Sequence, residues 1–190
     1  MQRAANLFCR LTGWRMVGEL PTEPKLVLIV APHTSNLDFP VGLMCGYASG
    51  VLLHWPYGFM AKDSLFRWPV GPVLRWLGGI PIDRSAPQDV VAQMVSVFER
   101  YERFLLTITP EGTRRRTSHW KSGFYRIASA ARVPLVPVGF DYAHRECRFG
   151  PALEPSGNAE ADLVKLRAFY SGITPKRPAN AGEIRFEPPG

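Results

Sequence analysis

Cysteine is scarce in this chain of 190 residues, and the three present, Cys9, Cys45 and Cys147, are odd in number and share no C-x-x-C spacing. Neither a disulfide framework nor a zinc cage is expected, and a reducing compartment is the default. Histidine is also sparse: His54, His119 and His144 stand without ligand spacing, which argues against a metal hydrolase. No G-x-S-x-G occurs, so a serine hydrolase lacks its nucleophile turn. Acidic residues are in deficit, 16 against 23 Lys plus Arg, for a net charge of +7. That surplus favours an anionic partner such as anionic lipid or a phosphorylated substrate. Nucleic acid would suit the charge too, but the aromatic and basic residues do not combine in any recognisable nucleic-acid-binding module, and it is set aside. At 46% hydrophobic and 21% charged the chain can bury an ordinary core, as one domain with at most a small appendage.

Charge is missing altogether from 39 to 61. Pro40 and Pro56 bracket only 15 residues there, about 22 Å of helix against the roughly 30 Å of a bilayer core, so a buried helix is expected rather than a span. At the N-terminus, Arg3, Arg10 and Arg15 interrupt what a secretory signal would keep apolar, and the segment is expected to stay in the mature chain. Residues 2–12 read as a short basic amphipathic helix with Ala4, Leu7, Phe8 and Leu11 on one side and Gly13 as its stop. Such a helix suits a bilayer surface and the protein's own core equally.

From Lys25 the pattern alternates. Apolar branched runs at 25–31, 58–61, 79–82, 104–108, 133–140 and 183–186 predict strands, and periodic segments at 40–54, 69–77, 87–103, 122–132 and 159–172 predict helices. The expected fold is α/β: one largely parallel sheet flanked by helices, preceded by the amphipathic helix. Residues 1–24 form the N-terminal segment and 25–190 the main domain, with a Pro/Gly-rich connector at 174–182 leading to a final strand.

His33 and Asp38 follow the first strand directly. Five residues apart on a helix they would diverge by about 140°, so they meet only if the chain turns between them, with Ser35 or Asn36 capping the next helix. An imidazole held by a carboxylate is a competent general base; in isolation the same spacing is more often a helix-capping Asp beside a surface His. Pro110-Glu111-Gly112-Thr113-Arg114-Arg115-Arg116 leaves another strand end, where Gly112 permits close approach and Arg114 offers a fork that matches phosphate. Gly78-Gly79-Ile80-Pro81-Ile82-Asp83-Arg84 again sets an arginine beyond a strand. A base without an enzyme nucleophile suggests that the substrate brings its own hydroxyl.

In that order these blocks resemble the glycerolipid acyltransferase family, which acylates glycerol 3-phosphate, lysophosphatidic acid and related lysolipids. H-x-x-x-x-D matches His33 and Asp38; G-x-I-x-I-x-R matches Gly78, Ile80, Ile82 and Arg84; P-E-G-T-R matches residues 110–114; an apolar V-P-x-x-P-V strand matches Val133, Pro134, Pro137 and Val138. The stretch from Lys62 to Gly71 is similar to the family's lysine-led connector, and the resemblance covers about residues 25–142. Two positions depart from the pattern: Thr109 replaces the usual aromatic, and Pro81 stands where Phe is frequent.

The resemblance implies an O-acyltransferase in which His33 is the base and Asp38 its partner, with Arg84, Glu111, Gly112, Thr113, Arg114 and Lys62 on the acceptor and phosphate side. It implies an acyl-CoA or acyl carrier protein thioester as donor and a lysophospholipid, most simply 1-acylglycerol 3-phosphate, as acceptor. It implies no metal or prosthetic group. An anionic membrane surface is the expected partner, met at the cytoplasmic face by a peripheral or monotopic protein. The uncharged 39–61 segment and Trp68 or Trp76 are candidates for the acyl channel.

Overall fold

A computed structural model describes residues 1–83 and 87–186. Seven strands form one sheet in the order β1-β7-β6-β2-β5-β3-β4. They are β1 (Arg15–Val17), β2 (Lys25–Val30), β3 (Tyr57–Lys62), β4 (Gly79–Ile82), β5 (Phe104–Ile108), β6 (Leu135–Asp141) and β7 (Glu146–Phe149). Neighbours are parallel except β6 and β7, which form an antiparallel pair. The mixed, largely parallel sheet expected from the alternating pattern is the one observed.

The central strands read as unbroken apolar runs because both faces are covered. In β2, Val27 and Ile29 join a core built with Phe98, Phe124 and Leu163 from the helices α5 (Pro87–Arg100), α6 (Gly123–Ala131) and α7 (Ala159–Tyr170). Their neighbours Leu26, Leu28 and Val30 point the other way, into a core with Cys9, Val41 and Val51 from α1 (Gln2–Thr12), α2 (Asp38–Ala48) and α3 (Val51–His54). One more helix, α4 (Val70–Trp76), follows a 3₁₀ turn at Asp63–Phe66.

Several details differ from the sequence reading. The expected helix over 40–54 breaks at Gly50, whose φ of 84° needs a residue without Cβ, and becomes α2 and α3. No helix among the described residues is long and apolar enough to cross a membrane. The amphipathic helix α1 docks through Ala5 and Cys9, and the stripe read as its apolar side leaves Leu7 and Leu11 exposed. The segment ahead of residue 25 joins the sheet itself, since β1 pairs with β7. Residues 183–186 make no sheet strand; Phe186 instead forms an isolated bridge with Trp120 and stacks on Phe124 of α6. The three free cysteines, distant in sequence, are buried in the same core cluster.

Candidate active site

Parallel strands deliver their C-terminal ends to one edge, and the site is assembled there. β2 ends beside β5 on one side and β6 on the other, with β3 beyond β5. The loop from β2 carries His33, that from β5 carries Glu111 to Arg114, β3 ends at Lys62, and Tyr142 follows β6. Residues remote in sequence thus converge through register alone.

Between His33 and Asp38 the chain makes a non-helical turn, which removes the angular mismatch a helix would impose. Ser35 Oγ accepts the Leu37 N–H at 3.1 Å inside that turn. The expected side-chain cap is not what starts α2: Leu37 occupies the N-cap position with no side-chain cap bond, and Asn36 faces the cavity instead. Asp38 opens α2, where the helix dipole favours its charge.

The His33 Nδ1 and Asp38 Oδ2 lie 2.9 Å apart. The same oxygen accepts the backbone N–H groups of Thr34 and Ser35, each at 3.0 Å, and Oδ1 accepts the Tyr142 hydroxyl at 2.8 Å. Asp38 is 2% exposed, and these four partners occupy both oxygens of a carboxyl that has little contact with water. A carboxylate accepts only, so Nδ1 carries the hydrogen, and in the neutral imidazole Nε2 is the nitrogen with the lone pair. His33 forms part of a cavity wall.

Tyr142 was not singled out from the sequence. Burial, and then its bond to Asp38, push its hydroxyl above the ordinary tyrosine range, so it remains a donor. Its ring meets Trp14 edge-on with centroids 5.1 Å apart, and Lys176 lies over it. The connector 174–182 braces this arrangement: Arg177 N–H donates to Thr34 Oγ1 at 3.1 Å, and the Asn180 side chain donates to the Arg114 carbonyl at 2.9 Å.

Glu111 takes a different position from its neighbours. It is buried, and its Oε1 accepts the His33 backbone N–H at 3.0 Å, while Oε2 is buried without a hydrogen-bond partner. Burial pushes its carboxyl up to about 7. Expected on the phosphate side, it lies behind the His33 loop and outside the cavity lining. Gly112, Thr113, Arg114 and Lys62 do line the cavity, the last three exposed at its rim. Gly112 has a φ of 64°, and a Cβ there would meet Lys121 at 3.3 Å, so a further cation flanks this turn. Arg84 lies outside the described residues.

The cavity, about 480 Å³, lies between the sheet and the α2–α3 layer. Apart from Asp38 its buried lining is apolar, with Leu28, Val51, Cys147 and Phe149, whereas Lys62 and Arg114 make its rim cationic. The uncharged 39–61 segment supplies much of the wall, including Phe39, Leu43 and Leu52. Trp68 and Trp76, the other channel candidates, take no part in it and are exposed. Thr109, one of the two departures noted above, is on the wall.

A family model described as Acyltransferase matches residues 16–141. The probable 1-acyl-sn-glycerol-3-phosphate acyltransferase of Mycoplasma pneumoniae is 32% identical over 196 residues, covering 96% of this chain and 69% of that protein. The 1-acyl-sn-glycerol-3-phosphate acyltransferase beta of Homo sapiens is 34% identical over 61% of this chain and 41% of its own length. The Escherichia coli 1-acyl-sn-glycerol-3-phosphate acyltransferase is 29% identical over 72% and 55%. This chain therefore spans about half the length or less of the latter two. Among solved structures, the 1-acyl-sn-glycerophosphate (LPA) acyltransferase PlsC from Thermotoga maritima superposes with a TM-score of 0.55 over 88% of this chain and 75% of that one, at 19% identity. The two share a fold.

Proposed function

The chain belongs to the acyltransferase family, and from that membership we propose that it moves a fatty acyl group from an acyl thioester to the hydroxyl of a lysophospholipid, with 1-acylglycerol 3-phosphate as acceptor and phosphatidic acid as product. The observation that carries this reading is the His33–Asp38 contact in the wall of an apolar cavity with a cationic rim. The fatty acyl group fits the apolar lining, and the acceptor's phosphate suits Arg114 and Lys62 at the opening.

His33 Nε2 takes the proton of the acceptor hydroxyl as its oxygen attacks the thioester carbonyl carbon. The tetrahedral intermediate collapses, the C–S bond breaks, and the imidazolium returns the proton to the departing thiolate. Asp38 holds the ring in one tautomer and stabilises the imidazolium while it lasts. A general base of this kind contributes about 10²- to 10⁴-fold. The substrates supply every atom of the products, the shuttled proton included, and His33 Nε2 only carries that proton between them, so the sequence of steps calls for no metal or prosthetic group. The reaction takes place at the cytoplasmic face of a membrane, with the protein held peripherally or monotopically, and the donor is acyl-CoA or acyl carrier protein.

A thiol-release assay with both donors, run across phosphorylated, zwitterionic and neutral lysolipids with product analysis, tests the proposal. Phosphatidic acid formed from lysophosphatidic acid, and lost in His33→Ala, is the expected result. Turnover confined to a neutral acceptor would reassign the substrate; vesicle binding without thiol release from any pair would reduce the protein to a lipid-binding module.

A further inference from the structure

The cavity opening continues onto an apolar surface that the proposed reaction does not use. Leu65 is on the cavity wall and more than half exposed, and α4 carries Leu74 on the cavity side. Val70, Val73 and Trp76, spaced three apart, share another face of α4, and all are more than half exposed. Trp68 precedes the helix at 88% exposure, and Trp76 is at 76%. Isolated exposed apolar residues are ordinary, but a contiguous group with two bare indoles marks an interaction surface.

We propose that α4 and the turn before it form the face that lies against an anionic lipid bilayer, with Trp68 and Trp76 seated at head-group level. The proposal rests on the reading that the acceptor is a lipid, and it names the surface through which that lipid is reached. Three observations select a bilayer as the occupant. Indole combines an apolar body with one N–H donor, which suits the membrane–water interface better than either phase alone. Residues 62–77 contain Lys62, Arg67 and Arg75 against a single acid, Asp63, so the surround of the patch attracts anionic head groups. The patch is also continuous with the rim at Leu65, where an acyl chain leaving the bilayer enters the cavity without crossing water.

The test compares the full chain with a Trp68→Glu/Trp76→Glu variant. Sedimentation with phosphatidylcholine vesicles containing phosphatidylglycerol is expected to show at least about a tenfold loss of binding. Turnover of a water-soluble short-chain acceptor is expected to persist. Because a doubly charged variant can misfold, a Trp68→Phe/Trp76→Phe variant is measured beside it. The other three tryptophans are Trp14 and Trp120, both buried, and Trp55, half-buried. Brominated-lipid quenching of tryptophan fluorescence is therefore expected in the wild type and lost in the Phe variant, with binding kept. Undiminished binding by the folded Glu variant would overturn the proposal, as would unchanged quenching in the Phe variant. Conversion of a wild-type dimer to monomer by the Glu pair would assign the face to a second copy instead. Vesicle binding through these residues without acyl transfer would sink the proposed activity and leave this surface standing.

Discussion

The Tyr142 hydroxyl donates to Asp38 Oδ1 at 2.8 Å across 104 residues of sequence, while the other oxygen of the same carboxylate holds His33. Each oxygen of Asp38 is thereby engaged by a different part of the sheet edge, and the imidazole inherits its orientation from both. Removing this hydroxyl in Tyr142→Phe keeps the ring against Trp14 and deletes one bond to a charged group, of about 1.5–3 kcal/mol. The expected outcome is a roughly tenfold lower kcat with an unchanged acceptor KM, read from steady-state kinetics. A rise in KM at constant kcat would place Tyr142 in substrate binding instead.

His33→Ala is expected to lower turnover by about 10²- to 10⁴-fold, with a melting temperature within a few degrees of wild type. The bond to Glu111 comes from the His33 backbone and survives the change. Thermal melts and thiol release on the same preparation check both halves.

Asp38 separates geometry from charge. In Asp38→Asn the amide oxygen can still accept from Thr34, Ser35 and Nδ1, and the NH₂ can face the Tyr142 oxygen, so the fold is expected to hold. Only the charge opposite the imidazolium is lost, which costs about tenfold or more in kcat because charge-assisted bonds are roughly twice as strong as neutral ones. Asp38→Ala leaves buried donors unpaired and is expected to destabilise by about 2–4 kcal/mol. Equal stability of the two variants in urea titrations would refute this division.

Glu111 predicts an unusual pH dependence. Burial raises its carboxyl from 4.5 to about 7, so between those values the folded state holds a proton that the unfolded state has released. Its contribution is complete below about 4.5 and declines as pH rises to 7, by up to about 3 kcal/mol. Glu111→Gln keeps a carbonyl for the His33 N–H and removes the titration. Denaturation at pH 5 and pH 8 is expected to show the variant gaining on wild type at the higher pH; parallel profiles would exclude the assignment.

Arg114 is exposed at the rim, so solvent limits its effect. Arg114→Ala is expected to raise the KM for lysophosphatidic acid by about tenfold or less, leaving a neutral lysolipid unchanged. An equal effect on both acceptors would mean that the side chain does not read phosphate.

What could be read from residues alone follows sequence distance. His33 and Asp38 are five apart and share a turn, so their pairing is possible from the spacing and is singled out by the order of the other blocks. The doubly covered strands β2 and β5 announce themselves as apolar runs. β1 and β7 do not, being short with charged residues interleaved, as in Glu146-Cys147-Arg148-Phe149. Tyr142, Lys121 and Arg177 reach the site through strand register and a returning connector, and no local pattern marks them. Glu111 was found by its block, yet its burial behind His33 depends on β2 and β5 being neighbours.

The brace made by Arg177 on Thr34 and Asn180 on Arg114 also bears on biosynthesis. His33 leaves the ribosome long before its supports are made. Until residues 142 to 180 have emerged, the imidazole has no Tyr142–Asp38 contact behind it and the two loops have no tether. A nascent chain consequently exposes His33 and Asp38 before the groups that fix them, and the arrangement is complete only once Asn180 has emerged.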